Sequence, residues 1–415
     1  MQKKILFYFS TIWLSITLCS AQVIQNQVFS NQIKTVKLYP STNEVGIPVI
    51  TLNSDQKLVF LFDELGEESK TYYYEIIHCN QDWTPSIQEN YEYINGFSKA
   101  TIDDYNYSYN TQVNYVNYRL NIPNRDMQIT QSGNYALIVF EDDPSKPIIT
   151  KRFVVVENIV AIDKQIVLPK TKYDYKKYQE ILFNIQYQGL QINNPYTEIH
   201  ASILQNQRWD NAITGVQPKF IRNSELIFDN NGEVVFEAGR EFRRFDIRSL
   251  RFLGDGVRSI QGNNVYLLID TSRNTSRYFI ETDYNGQYYI DVLEQRNRNQ
   301  EADYAQVYFN LATRFPFYHE RLFVGGDFNN YSTDTENQLI WNPNTQMYET
   351  QIELKQGYYD YIYYLLDEKG QKSILKLEGG DYDAENEYDI FIYYRAFGER
   401  YDRIIGYLNF DTRHE

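Results

Sequence analysis

Apolar and polar residues alternate with a period of two through most of this chain, and a sustained 3.6-residue period is nearly absent. Runs such as Lys57-Leu58-Val59-Phe60-Leu61-Phe62 and Tyr135-Ala136-Leu137-Ile138-Val139-Phe140 are short, rich in β-branched or aromatic residues, and bounded by Asp, Gly or Pro. They predict strands buried on one or both faces. Every second residue of a strand shares a face, so Tyr105, Tyr107 and Tyr109 form one tyrosine ladder and Tyr359, Tyr361 and Tyr363 another. The pattern predicts an all-β chain.

Local signals divide it. Gln131-Ser132-Gly133-Asn134-Tyr135-Ala136-Leu137 resembles the approach to the penultimate strand of an immunoglobulin-type sandwich, where a tyrosine pins the preceding turn two residues before a position often held by cysteine. Leu137 takes that position here, which predicts a sandwich without a disulfide, closed by a strand over Lys151 to Glu157. The first sandwich is expected at 31–158, after an extension at 22–30. Ile159 to Thr171 reads as a linker into a second β-rich domain at 159–300, with strands near Ile181 to Tyr187, Thr197 to Gln205 and Glu233 to Glu237. A third domain is expected at 301–415. Within it, Arg321-Leu322-Phe323-Val324-Gly325-Gly326-Asp327-Phe328-Asn329-Asn330 and the later Gly357-Tyr358-Tyr359-Asp360-Tyr361 resemble the early-set immunoglobulin-like modules attached to starch- and glycogen-acting enzymes. The fold class expected is therefore all-β, with tandem immunoglobulin-like β-sandwich domains of the early-set type. Tyr331 stands where those modules usually carry a sugar-stacking tryptophan.

The N-terminus adds a compartment. Lys3 and Lys4 precede an apolar run from Ile5 to Leu18, and Cys19-Ser20-Ala21 offers small residues for cleavage, so 1–21 reads as a secretory signal peptide. A lipoprotein would need a small residue before Cys19, and Leu18 stands there. Cleavage after Ala21 leaves Cys79 as the one cysteine, so stability must come from apolar cores. Loss of Lys3 and Lys4 with the leader takes the formal charge from −15 to −17. A surface of that sign disfavours nucleic acid and anionic headgroups, and no later run approaches the roughly 20 apolar residues of a membrane-spanning helix. Tyrosine dominates the aromatics, with 39 Tyr against 24 Phe and 4 Trp; its ring buries apolar area while its hydroxyl still finds a partner, which suits strands and interfaces.

Motifs for chemistry are missing. His78, His200, His319 and His414 are too far apart for a local zinc motif, and neither Gly-x-Ser-x-Gly nor a phosphate-binding glycine loop occurs. Gly254-Asp255-Gly256 and Gly379-Gly380 read as turns. In His78-Cys79-Asn80-Gln81-Asp82-Trp83 the histidine and thiol are strand neighbours that point to opposite faces, so the block reads as a structural cluster anchored by Trp83. Asp381-Tyr382-Asp383-Ala384-Glu385-Asn386-Glu387 lacks calcium-loop spacing and reads as a solvated turn. No catalytic, cofactor-binding or metal-binding residue is expected, and no cofactor. Arg and Tyr are the residue types enriched at interface hot spots, and they crowd the C-terminal hairpin: Tyr393, Tyr394, Arg395, Arg400, Tyr401 and Arg403 are the candidate partner-binding residues, against a plain hairpin whose arginines pair with local acids.

Several segments together resemble one family: Ile33-Lys34-Thr35-Val36-Lys37-Leu38-Tyr39-Pro40, Tyr72-Tyr73-Tyr74-Glu75-Ile76-Ile77 running into the His78 block, Gly133-Asn134-Tyr135, Gln205-Asn206-Gln207-Arg208-Trp209-Asp210, Glu241-Phe242-Arg243-Arg244-Phe245-Asp246, and Arg400-Tyr401-Asp402-Arg403-Ile404-Ile405-Gly406. From about Ile33 to the end, the chain looks like the plug protein of the type IX secretion system of Bacteroidetes. That resemblance implies a non-enzymatic periplasmic protein that reversibly closes the periplasmic mouth of a very large outer-membrane translocon barrel. The barrel is then its partner, with no nucleic acid and no direct membrane insertion. The alternative, from the early-set segment, is a glycan-binding module protein of the cell envelope.

Overall fold

Eight consecutive buried residues in Gly133–Phe140, and again in Ile149–Val156, show how the molecule is layered. A strand buried on both faces must be covered by a second layer on each side. The computed structural model describes residues 22–229 and 232–414; the expected leader and the Cys19 question lie outside them. The chain is all-β, built from mainly antiparallel sheets packed as sandwiches. No helix among the described residues is long and apolar enough to cross a membrane.

In the first sandwich, one sheet joins Tyr73–Cys79, Gly133–Phe140 and Ile149–Val156, and the facing sheet joins Ile33–Pro40, Leu58–Leu65, Tyr115–Ile122 and Asp104–Tyr107. Phe60, Phe62, Tyr118, Tyr74, Leu137 and Phe153 meet between them in one core. The Tyr135 hydroxyl donates to the Gln131 carbonyl at 2.8 Å, which is the expected tyrosine pin, and Leu137 fills the core in place of a cysteine. The segment 22–30 is laced on: Gln27–Val28 pairs with Thr150 and Ile149, and Arg152 donates to the Ile24 carbonyl.

The second sandwich pairs strands from distant parts of the chain. Ile199–Gln205 lies beside Glu387–Tyr394, flanked by Arg208–Val216 and Arg403–Asp411. Its facing sheet holds Ala161–Val167, Tyr178–Gln186, Glu225–Phe228 and Phe220–Arg222. Two expectations change here. The expected linker contains the seven-residue strand Ala161–Val167, half-exposed because it is an edge. Strand pairing also crosses the boundary expected at 300, since the last two long strands complete a sheet begun near residue 199.

The third sandwich is a single eleven-stranded sheet folded over one core, running from Arg243–Asp246 through Gly357–Asp367, Glu320–Gly325, Gln338–Asn342, Met347–Lys355 and Tyr304–Ala312 to Asn264–Leu267 and Val257–Gln261. It therefore recruits strands well before residue 301. The two tyrosine ladders have opposite fates. Tyr359, Tyr361 and Tyr363 are buried in this core, whereas Tyr105, Tyr107 and Tyr109 stand exposed on or beside the edge strand Asp104–Tyr107.

Candidate functional site

The three sandwiches meet along seams that contain buried charge. Charges in an apolar strand must be paired or hydrogen-bonded when they leave water. Asp63, at the end of the apolar run Leu58–Phe62, is fully buried and accepts from Lys355 Nζ at 2.6 Å, from the Tyr304 hydroxyl at 2.7 Å and from Asn117 Nδ2 at 2.7 Å. Lys355 belongs to the third sandwich and Asp63 to the first. Its ammonium also sits 3.9 Å from the Tyr115 ring centroid and donates to the Asn299 carbonyl. Burial lowers the Lys355 pKa from its usual value, and Asp63 opposes that shift.

A second contact of the same two sandwiches uses Lys37 and Lys151. Lys37 donates to the Tyr288 carbonyl and lies 4.2 Å from the Tyr288 ring centroid; burial lowers it to about 8, with Asp327 and Glu44 pulling the other way. Lys151 donates to Asn330 Oδ1 at 2.8 Å. The seam between the second and third sandwiches is an Arg208–Asp210–Lys372 chain, with both cations on the Asp210 carboxylate. Burial alone would push Asp210 up, but Arg208 and Lys372 hold it below the usual carboxylate range. Arg208 also stacks on the Tyr331 ring at 4.0 Å. The ring that stands at the sugar-stacking position is buried under a guanidinium.

The seam between the first and second sandwiches is aromatic. Trp83 packs edge-on against Trp209 with centroids 4.8 Å apart, and Arg152 lies 4.4 Å over Trp83. Cys79 is buried on this side, while His78 points to the opposite face, against Tyr135 and Tyr401. Burial lowers His78 to about 4 and raises Cys79 to about 12, so both are neutral at pH 7 and the pair is no nucleophile couple. The expected Trp83 cluster is present, and its function is to join two units.

The C-terminal hairpin belongs to the same seam. Tyr393 is buried with its hydroxyl on Asn134, and Tyr394 is buried with its hydroxyl on the Gln191 carbonyl. Arg395 pairs with Asp402 at 2.9 Å and also reaches Asn80. Arg403 grips Glu157 of the first sandwich through Nε and Nη2, and Tyr401 packs on His78. Arg400 pairs with Glu92 at 2.9 Å and donates to the Ile87 carbonyl, and it remains half-exposed. The two tyrosines thus present no ring to a partner. The hot-spot composition of the hairpin marks an interface inside the chain.

Arg400 is different because of what surrounds it. Phe397 in the hairpin turn is 93% exposed; in the first sandwich Ile87, whose carbonyl Arg400 reaches, and Tyr91, next to Glu92, are exposed, as is Phe97 just past the following strand Ile94–Gly96. Sequence reasoning missed these four, and it missed Asp63, Lys355, Lys37 and Asp210. A lone charge inside an apolar strand is the signal that could have found Asp63; nothing local distinguishes Lys355.

Against known proteins, residues 33–157 match the model of the type 9 secretion system plug protein first domain. The chain belongs to the type IX secretion system plug family. A crystal structure of a hypothetical protein from Parabacteroides merdae ATCC 43184 is similar along almost the whole length, with 34% identity and a TM-score of 0.90 over 94% of this chain and 100% of that one. That similarity extends across all three sandwiches, beyond the matched first domain. The C-terminal domain of the Streptococcus pyogenes antigen I/II-family protein AspA (7% identity, 91% of this chain, 99% of that one) and dimeric latent PorU from Porphyromonas gingivalis (8% identity, 92% and 34%) both align at a TM-score of 0.17, too low to bear on fold or function. No curated protein matches the chain.

Proposed function

We propose that this plug-family protein reversibly closes the periplasmic end of the outer-membrane translocon pore of the type IX secretion system, acting as a periplasmic, non-enzymatic body. The observation that carries the reading is the set of buried inter-sandwich contacts, Lys355–Asp63 above all. A stopper must resist deformation when it seats, and three sandwiches joined by desolvated ion pairs and edge-on aromatic contacts move as one block. We further propose dividing the chain into a first sandwich, a second split between residues 161–237 and 387–411, and a third inserted between those halves. An insertion tethered at both ends has fewer relative motions open to it than a domain strung on one linker.

Reversibility requires a seating surface that is apolar enough to bind and polar enough to leave free protein in solution. The exposed Phe397, Ile87, Tyr91 and Phe97 around the half-exposed Arg400–Glu92 pair have that composition, with aromatics beside an arginine as at binding hot spots. The glycan reading loses its main residue, since Arg208 covers the Tyr331 ring. The test is affinity capture of the tagged protein from solubilised envelopes. Recovery of one very large outer-membrane barrel supports the proposal; recovery of no barrel, with retention on a glycan column, overturns it.

A further inference from the structure

The chain is acidic as a whole, yet residues 240–280 hold eight arginines against four carboxylates. Some of these arginines are spent internally: Arg243 pairs with Asp270 and Glu378, Arg248 with Asp246, and Arg273 with Glu378. Arg251, Arg258 and Arg277 are exposed and form no ion pair among the described residues. Arg277 lies 5.7 Å from the ring centroid of Phe279.

Large apolar side chains are exposed in the same region as adjacent pairs on three separate loops of the third sandwich: Phe252-Leu253, Leu268-Ile269 and Phe279-Ile280. Phe252, Phe279 and Ile280 are each about two-thirds or more exposed, at 71%, 67% and 71%. Hydrogen bonds draw the loops together at the Arg243–Asp246 edge of the sheet. The Leu268 N–H donates to the Gly256 carbonyl at 2.8 Å, and Arg244 ties Asp255 at 2.9 Å to the Thr282 carbonyl at 2.6 Å. Asp246, Asp255, Asp270 and Glu281 are the acids at this edge, and the first three are already paired, with Arg248, Arg244 and Arg243 respectively.

We infer that this edge of the third sandwich docks on an anionic lipid surface, with the three apolar loop tips entering the interfacial layer and Arg251, Arg258 and Arg277 facing the headgroups. Two features favour a lipid over a protein partner. Consecutive apolar residues on separate loop tips make protrusions, and a fluid interface accepts protrusions without a matching pocket. Unpaired arginines in the same loops and strands supply the electrostatic half of interfacial binding. The negative charge of the rest of the body keeps the other faces away from such a surface and so orients the protein on it.

The experiment is sedimentation of the full mature chain with phosphatidylcholine vesicles that contain or lack phosphatidylglycerol. Binding is expected to phosphatidylglycerol vesicles and to fall as salt rises, because screening removes the arginine contribution. F252S/L253S and F279S/I280S should each weaken it by more than about tenfold, given the apolar area withdrawn, while F397S, on the other exposed patch, should leave it unchanged. Because a serine variant that failed to fold would mislead, F279W in the otherwise intact chain provides an independent reading. The fluorescence it adds to that of Trp83, Trp209 and Trp341 should be quenched by brominated lipid, and that added by F397W should not. Absence of binding to phosphatidylglycerol vesicles at low salt overturns the inference, as does binding that the loop variants leave intact or an unquenched F279W. Loss of barrel capture by the loop variants without any vesicle binding would mean instead that the edge docks on protein.

Discussion

Replacing Lys355 by methionine removes one member of the ion pair that joins the first and third sandwiches and leaves Asp63 fully buried with only the Tyr304 hydroxyl and Asn117 amide as partners. Removing one partner of a buried pair costs about 3–5 kcal/mol, because the remaining charge stays desolvated. The methionine fills much of the lysine stem's volume, so the lower end, about 3 kcal/mol, is expected here. The double variant K355M/D63N keeps an acceptor for Tyr304 and Asn117 but carries no charge at the seam, and it should lie within about 1 kcal/mol of the unaltered protein. With D63N alone costing a similar ~3 kcal/mol for the stranded Lys355 ammonium, the cycle reports a coupling of about 5 kcal/mol. Urea unfolding followed by fluorescence and by far-ultraviolet circular dichroism reads both quantities, and it also reads cooperativity. The unaltered protein should unfold with coincident transitions, and K355M should separate them, since the seam holds the sandwiches to a common transition. A K355M protein within about 1 kcal/mol of the original, still unfolding in one step, would refute the argument that this pair makes the molecule one body.

Further outcomes follow from the same contacts. Asp360 is fully buried and burial raises it to about 8, with Asp283 adding to the shift; the folded state therefore keeps a proton that the unfolded chain releases near pH 4, and stability should fall as pH rises from about 4 to about 8. D360N should flatten that dependence and stabilise the protein at pH 8 by on the order of a few kcal/mol, measured as denaturation midpoints across the range; an unchanged slope would assign the pH dependence to other groups. R403E places a second carboxylate beside Glu157 at the seam and should cost about 2–3 kcal/mol, whereas R400E, half-exposed on the rim, should cost under about 1 kcal/mol and yet reduce barrel capture. Chemical denaturation and pull-down together separate the two. Y135F deletes the hydroxyl that pins the turn at Gln131 and should destabilise the first sandwich by about 1 kcal/mol, readable in the same unfolding assay.

How much of this was legible in the sequence depends on how local the cause was. The Tyr135 pin spans four residues and was readable from Gln131 to Leu137. Strand character at 58–62, 135–140 and 181–187 was equally local, because alternation and β-branching act over a few residues. Pairing was not: Ile199–Gln205 finds Glu387–Tyr394 nearly two hundred positions away, and nothing in either strand specifies the other. The two tyrosine ladders make the point most sharply. Tyr105, Tyr107 and Tyr109 follow the same pattern as Tyr359, Tyr361 and Tyr363, yet one lies on a sheet edge and the other in a folded-over core. Periodicity assigns a face, and only the tertiary fold decides what covers it. For the candidate site, the six hairpin residues expected to bind a partner all have partners within the chain. Arg400 alone stays half-exposed, and of the apolar residues grouped with it only Phe397 is near in sequence; Ile87, Tyr91 and Phe97 come from the first sandwich, where sequence could not associate them.

Closure of a pore is read by solute flux through the translocon barrel reconstituted in lipid vesicles. Addition of the mature protein should abolish release of a large fluorescent solute, and washing at conditions that release the bound protein should restore it. Flux that continues while the protein is demonstrably bound to the barrel would rule out closure.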